Sequence, residues 1–293
     1  MNQASEESWT ILRLLQWTTG YLEGKGAESA RLDAELLLAH VRGCPRIELY
    51  TDFDQVATDD ERTRFKSLVQ RRAAGEPVAY LLGQKEFYSR NFEVTPAVLI
   101  PRPDTESLVV AALDWLSAKQ SSEAASLADI GTGSGVLAIT LALKYPSARV
   151  FASDIEAEAL KVARRNATEH GVDGQIDFVC GSYFGERACG PFDLVVSNPP
   201  YVSESEYADL PVSVRDYEPH SALVAGVEGS ECVIALLEAA ADRVRPGGGC
   251  IVEISPMIEA KVKQLIDQGS WHTENVVKDQ AGLSRALVLE RRG

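Results

Sequence analysis

Apolar residues recur at helical spacing through the first part of the chain. Ile11, Leu14, Leu15 and Leu22 mark one helix. A second is predicted over 29–42, with Leu32, Leu36, Leu37 and Ala39 inward and Gly43 and Pro45 stopping it. Thr58-Asp59-Asp60-Glu61 has the form of a capping box. It opens a helix striped by Phe65, Leu68 and Val69 that ends at Gly75. Between 77 and 98 the pattern changes. Val78, Tyr80 and Leu82, then Phe87, Tyr88, Phe92, Val94 and Val98, predict short extended segments and a hairpin. After Pro103-Asp104-Thr105 strands and helices alternate. Strands are predicted at 127–130, 149–153, 176–180, 192–197, 249–254, 271–277 and 285–289, and helices near 136–145, 156–170, 231–244 and 257–268. That alternation predicts a doubly wound, mostly parallel sheet. The expected division is a helical domain over 1–76, a hairpin linker over 77–98 and an α/β domain over 99–293.

Composition adds little to this picture and removes several alternatives. With 293 residues, 45% of them hydrophobic and 25% charged, the chain reads as a globular protein of two domains. A net charge of −14 opposes broad nucleic-acid binding. The helix after Thr58 does carry a local positive face, Arg62, Arg64, Lys66, Arg71 and Arg72, for which a solvated helix surface is the plainer reading. Cys44, Cys180, Cys189, Cys232 and Cys250 form no Cys-x-x-Cys pair, which favours reduced thiols in a cytoplasmic protein. The four histidines show no paired spacing, so no metal site is expected. The start, Met1-Asn2-Gln3-Ala4-Ser5-Glu6-Glu7, is acidic and unlike a signal peptide, and no apolar run approaches membrane-spanning length.

Three chemical features fall at the carboxyl ends of predicted strands, where ligands of such sheets bind. The first is the turn Asp129-Ile130-Gly131-Thr132-Gly133-Ser134-Gly135. A dinucleotide fingerprint would require glycine at 136, and Val136 stands there. The spacing G-x-G-x-G after an acid is the one expected for S-adenosylmethionine, which has no pyrophosphate. The second is Asp154, in position to accept both ribose hydroxyls, though an acid there can also cap the following helix. Asp129 is placed to order the turn or meet the ligand's amino group. Tyr183, after the third strand, borders the adenine on one reading and packs in the core on the other.

The third feature is Asn198-Pro199-Pro200-Tyr201, closing the apolar run 192–197 and lying 63 residues beyond Gly135. Each proline fixes its own φ and pushes the preceding residue out of the helical region, so Asn198 and Pro199 are held extended. The Asn198 side-chain oxygen and the Pro199 carbonyl can then accept both hydrogens of a planar –NH₂ while Tyr201 lies against the group. An amide nitrogen is a poor nucleophile because its lone pair is delocalised. Acceptors that favour a pyramidal, more cationic nitrogen stabilise the transition state more than the ground state. The pair of turns therefore predicts methyl transfer to an amino or amide nitrogen.

These residues, in this order, resemble the PrmC/HemK family of protein-(glutamine-N5) methyltransferases. The resemblance covers nearly the whole chain. It includes Asp33-Ala34-Glu35-Leu36-Leu37-Leu38, Arg71-Arg72, Gly75-Glu76-Pro77-Val78-Ala79-Tyr80, Leu99-Ile100-Pro101-Arg102-Pro103-Asp104-Thr105-Glu106, the two turns, and Arg215, Glu218 and Pro219. It implies a class I S-adenosylmethionine-dependent (Rossmann-like) methyltransferase domain preceded by a small helical domain and a β-hairpin linker. It implies methylation of the glutamine in the Gly-Gly-Gln motif of class I peptide-chain release factors, with S-adenosylhomocysteine as product. By carry-over Gly131, Thr132, Gly133, Ser134, Gly135, Asp154, Tyr183 and Asn198 contact the cofactor. Asn198, Pro199, Pro200 and Tyr201 hold the glutamine, and Arg102 and Thr105 sit near the mouth. The helical domain would help grip the release factor. Two departures are visible. Glu253-Ile254-Ser255 replaces the usual Glu-x-Gly, and residues between Asp279 and Arg285 vary. Neither is expected to touch the chemistry.

A ribosomal-protein glutamine remains open as the acceptor, because the same tetrapeptide serves it. Methylation of nucleic-acid amino groups is the weaker rival, since the net charge and the absence of a base-reading domain oppose it. A non-catalytic binding module is opposed by intact Gly131, Gly133, Gly135, Asp154 and Asn198. The expected protein is a cytoplasmic monomer without membrane or stable nucleic-acid partners, and 203–217 is a candidate lid.

Overall fold

The computed structural model describes residues 8–119, 124–185 and 190–293. Residues 1–7 and Cys189, which entered the leader and thiol readings, lie outside them. The chain divides into two compact units, Met1–Gly83 and Gln84–Gly293. The break falls inside the stretch 77–98, and the hairpin groups with the second unit.

The first unit is helical: α1 (Ile11–Glu23), α2 (Ala30–Arg42), α3 (Glu48–Thr51), α4 (Asp59–Ala73) and α5 (Val78–Leu82). Ile11, Leu14, Leu15 and Leu22 share one core with Leu37, Leu38, Phe65 and Val69. Thr58 and Glu61 complete both halves of the capping box. The α2 stripe departs from expectation. Leu32 is 40% exposed, while Asp33 and Glu35 are buried. Each buried carboxylate has partners that offset its desolvation. Asp33 meets Arg72 at 2.7 Å, and Glu35 meets Arg31 at 2.5 Å and the Tyr50 hydroxyl at 2.7 Å. Arg62, Arg64 and Arg71 of the α4 face pair with Asp59, Asp60 and Glu76, so little of its charge is unbalanced. Residues 78–82, expected as extended chain, form a helical turn instead. Pro77 precedes it, and Gly83 at φ 72° supplies a left-handed C-cap.

The second unit opens with the antiparallel hairpin β1 (Gln84–Phe87) and β2 (Arg90–Glu93). There follow α6 (Glu106–Ala118), β3 (Ser126–Ile130), α7 (Val136–Lys144), β4 (Arg149–Asp154), α8 (Ala157–Glu169), β5 (Ile176–Cys180) and β6 (Phe192–Ser197). Next come β7 (Val202–Ser203), α9 (Glu204–Tyr207), α10 (Val212–Arg215), β8 (Val224–Gly226) and α11 (Glu231–Ala241). The unit ends with β9 (Val244–Glu253), α12 (Glu259–Gln268), β10 (Trp271–Lys278) and β11 (Ser284–Arg291). Seven strands form one sheet in the order β10-β11-β9-β6-β3-β4-β5. The five from β9 to β5 are parallel, and β11 and β10 are antiparallel additions.

Both faces of the sheet are covered, which is why its strands read as continuous apolar runs. Leu127, Leu194 and Val196 face the cluster built with α6, α7 and α8, while Ala128, Ile130 and Val195 face that built with α11 and α12. The α11 helix stops at Ala241, three residues short of expectation, because Val244 pairs with Phe192. The pairing then jumps to Leu194 with Gly249, so the Pro-Gly-rich residues between are a bulge within β9. Among the described residues Cys44, Cys180, Cys232 and Cys250 are free thiols, and no helix is long and apolar enough to cross a membrane.

Candidate active site

The chain runs from β3 outward through β4 and β5, then returns to place β6 on the other side of β3. The strand order therefore reverses between β3 and β6, which is where ligands of open α/β sheets bind. Ile130 and Ser197 are register partners at this point, and the Ser197 hydroxyl donates to the Ile130 carbonyl at 2.6 Å. The glycine turn and Asn198 are consequently the next residues out of two neighbouring strands.

A cavity of about 290 Å³ opens there. Gly131, Thr132, Gly133, Ser134, Asp154, Tyr183, Asn198, Pro199 and Pro200 all line it. So do Thr105, Ile155, Pro219 and Cys232. Thr105 was expected near the mouth, Pro219 entered only through the family resemblance and Cys232 only as a thiol, while Ile155 carried no expectation. Gly135 and Tyr201 do not line it. Gly135 precedes α7 at φ 86°, and a Cβ there would stand 2.8 Å from Ile139 Cδ1. Its glycine is needed for packing beneath the turn.

The turn is fastened to β4. The Gly131 and Thr132 N–H groups both donate to the Ser153 carbonyl at 2.9 Å. Asp154 accepts from the Gly133 N–H at 2.9 Å and from the Glu156 N–H at 2.9 Å. Burial nevertheless holds the Asp154 carboxyl above the ordinary range. Asp129 is buried behind the turn, accepting from the Thr132 hydroxyl at 2.7 Å and the Ala138 N–H at 3.0 Å. Desolvation outweighs both bonds and, with the nearby Asp154 charge, pushes its pKa up to about 7. Tyr183 adopts a left-handed φ of 49°, and its carbonyl accepts the Ser153 hydroxyl. Its neighbour Phe184 is buried between Phe151 and Phe192, which anchors that unusual backbone.

Asn198 is oriented from behind. Its Nδ2 donates to Thr105 Oγ1 at 3.0 Å, and the Thr105 hydroxyl donates to Glu253 Oε2 at 2.8 Å. The Tyr201 hydroxyl donates to Glu253 Oε1 at 3.2 Å, so this ring is tied to β9. Burial, then the Glu253 charge, raises the Tyr201 hydroxyl far above its usual pKa. Glu253 thus touches Tyr201 of the tetrapeptide directly and reaches Asn198 through Thr105, although its segment was expected to lie away from the chemistry. The available sequence signal was an acid ending the apolar run Cys250-Ile251-Val252. Glu218 was named only as a family signpost. It is buried, accepting the Ile100 N–H at 3.1 Å and Arg102 at 2.6 Å, and so joins 100–102 to the far end of the excursion after Tyr201.

The residues present suit S-adenosylmethionine. Gly131 and Gly133 have positive φ and open space where a Cβ would stand, so their backbone can meet a ligand closely. Asp129 Oδ1 and Ser134 Oγ are buried with no hydrogen-bond partner among the described residues. A carboxylate, two unpaired polar atoms and a largely apolar wall match vicinal hydroxyls, an ammonium group and a purine. Among the described residues no three His, Cys, Asp or Glu side chains gather as a metal-ligand set.

Comparison with known proteins agrees with this architecture. The family model described as the PrmC N-terminal domain matches residues 13–83, and that described as the methyltransferase small domain matches residues 109–212. The release factor glutamine methyltransferase of Rhodopirellula baltica is 43% identical over 291 residues, covering 98% of each chain. The protein of that name from Chlorobaculum tepidum is 42% identical over 288 residues, covering 96% of this chain and 97% of its own. Among solved structures, the hMettl16 catalytic domain in complex with the MAT2A 3'UTR hairpin 6 superposes with a TM-score of 0.54 at 16% identity, over 80% of this chain and 82% of that one. That likeness concerns the fold. With a doubly wound methyltransferase sheet, a helical first unit and such identity along nearly its whole length, the chain belongs to the release factor glutamine methyltransferase family.

Proposed function

We propose that this protein transfers a methyl group from S-adenosylmethionine to the side-chain amide nitrogen of the glutamine in the Gly-Gly-Gln motif of class I release factors, in the cytoplasm. One observation carries the chemistry: Asn198 and Pro199 line the same cavity as Asp154 and the glycine turn. The name shared by the relatives supplies the protein substrate. We read the helical first unit as a grip on that substrate.

Asp154 would hold the ribose hydroxyls, and Gly131 to Ser134 would carry the amino-acid end, with Asp129 supporting its ammonium group. Tyr183 would border the purine. When bound, the cofactor supplies an electrophilic methyl on a sulfonium. Asn198 Oδ1 and the Pro199 carbonyl would accept the two amide N–H groups. Those acceptors orient the nitrogen and favour its pyramidal, cationic form as the new bond develops. The Thr105 contact occupies Asn198 Nδ2, so Oδ1 is the atom left for this task. A strong base is not required, since the methylated nitrogen is acidic and loses its proton afterwards.

The test is methyl transfer to a purified class I release factor, read by mass spectrometry of the Gly-Gly-Gln peptide. One added methyl on the glutamine, absent when that glutamine is replaced, is the expected result. Cofactor binding without transfer would remove release factors as the substrate, and transfer to a ribosomal protein would then replace this reading.

A further inference from the structure

Thr105 and Glu253 lie 148 residues apart and meet behind the tetrapeptide. Both are buried, and the chain of contacts has a defined direction. Asn198 Nδ2 donates to Thr105 Oγ1, and Thr105 donates onward to Glu253. A threonine hydroxyl has one proton. While that proton is on the Glu253 side, Thr105 can only accept from Asn198, and the Asn198 amide must keep its nitrogen inward. Its oxygen then faces the cavity.

We propose that Glu253 is a positioning residue for the transfer reaction, acting through Thr105 to hold the Asn198 amide oxygen toward the substrate nitrogen, and that only its ionised form does so. The inference rests on the proposed glutamine-methylating function and names a group that touches neither substrate nor cofactor. As a carboxylate Glu253 accepts from both Thr105 and Tyr201. Once protonated it carries a donor of its own. A donor turned on Thr105 displaces the threonine proton, which is then buried without an acceptor unless Asn198 turns its oxygen inward. That flip would present –NH₂ to a substrate –NH₂, donor against donor.

The surroundings make the change accessible near neutrality. Burial pushes the Glu253 pKa up to about 7, against the lowering effect of the Thr105 and Tyr201 hydrogen bonds. The charged groups facing it are Asp104, which raises it, and Arg285, which lowers it. Arg285 is itself shared between Asp279 at 2.9 Å and Asp104 at 3.4 Å, so it does not fully offset the burial. The remaining titratable neighbour, Tyr201, stays protonated in this range because its own pKa is raised.

The test joins kinetics to a spectroscopic readout. Glu253→Gln keeps the shape and offers a single acceptor oxygen for two donors. Its kcat for release-factor methylation should fall by about 10- to 100-fold, the scale of losing one oriented hydrogen-bonding group in an active site. Cofactor Kd should stay within about threefold, because Glu253 is outside the cofactor cavity. Thr105→Val should reproduce the loss and Thr105→Ser should restore most of it. The double variant Glu253→Gln with Thr105→Val should be no worse than the weaker single, since both break one path. In the unmodified protein the Asn198 side-chain amide resonances should shift with a midpoint near pH 7, and this titration should vanish in Glu253→Gln. That measurement needs no turnover, so an inactive wild type overturns the functional reading while the resonances still decide the network. Wild-type kcat in Glu253→Gln, additive losses in the double variant, or Asn198 resonances indifferent to pH would each overturn the positioning role.

Discussion

The Asp154 carboxylate accepts the Gly133 N–H at 2.9 Å, so the acid closing β4 is fastened to the middle of the turn that follows β3. A second bond from the Glu156 N–H holds its other oxygen. The carboxylate is therefore fixed before any ligand arrives, which reduces the ordering cost of binding.

Asp154→Ala should weaken S-adenosylmethionine binding by roughly 100-fold, equivalent to one or two hydrogen bonds to a charged group. Isothermal titration calorimetry measures it directly. An unchanged Kd would mean that Asp154 serves only to tie the turn.

Asn198→Ala should separate binding from chemistry in the opposite direction. Among the described residues its side chain makes one hydrogen bond, from Nδ2 to Thr105, so the fold should lose about 1 kcal/mol at most. Turnover should fall by roughly 100- to 1,000-fold, the usual scale for removing one group that stabilises developing charge. Single-turnover methylation and a thermal melt together provide the check. A variant that kept its rate, or that unfolded, would remove Asn198 from the catalytic role.

The residues of this site differ in how far the sequence exposed them. Gly131, Asp154 and Asn198 end buried strands, and apolar runs closed by polar or glycine residues are local signals. Val78 to Leu82 misled because β-branched and aromatic residues imitate a strand, while Pro77 and Gly83 carried the helix signals at its ends. Leu32 failed because α2 spends two inward positions on Asp33 and Glu35, whose partners Arg72 and Tyr50 are remote in sequence. Glu253 and Glu218 were hidden for the same reason. Their meaning lies in contacts with Thr105, Tyr201, Ile100 and Arg102 that no local pattern encodes.

Stability should fall between pH 6 and pH 8 in the ligand-free protein. Asp129 and Glu253 both have folded pKa values near 7, above the ordinary carboxylate range. A raised folded pKa stabilises fully below the unfolded value near 4, and that contribution is lost as pH rises through 7. Across this window each group should cost about 1 kcal/mol. Carboxylates with lowered values, such as Glu61 and Asp279, titrate below it and do not interfere. Asp129→Asn should flatten half of the slope and stabilise the protein at pH 8, yet weaken cofactor binding if Asp129 supports the ammonium group. Urea titrations at pH 6 and 8 decide this. A wild type equally stable at both would show that these carboxyls are ionised throughout.

Two glycines of the same turn should fail in different ways. Gly135 has φ 86°, and an added Cβ would meet Ile139 Cδ1 at 2.8 Å and Ala163 Cβ at 3.3 Å. Gly131 has φ 72° and nothing within 4 Å of that position. Alanine at either pays about 1 kcal/mol for the left-handed backbone. At Gly135 the overpacking against buried α7 and α8 adds to it, for a total of roughly 2–3 kcal/mol. At Gly131 the methyl projects into the cavity, where it competes with the ligand. Gly135→Ala should therefore melt several degrees lower while its folded fraction binds S-adenosylmethionine within a few-fold of normal. Gly131→Ala should keep more of its stability and lose more of its affinity. Equal losses of both properties in the two variants would mean that the turn is a spacer between β3 and α7 rather than a surface for the cofactor.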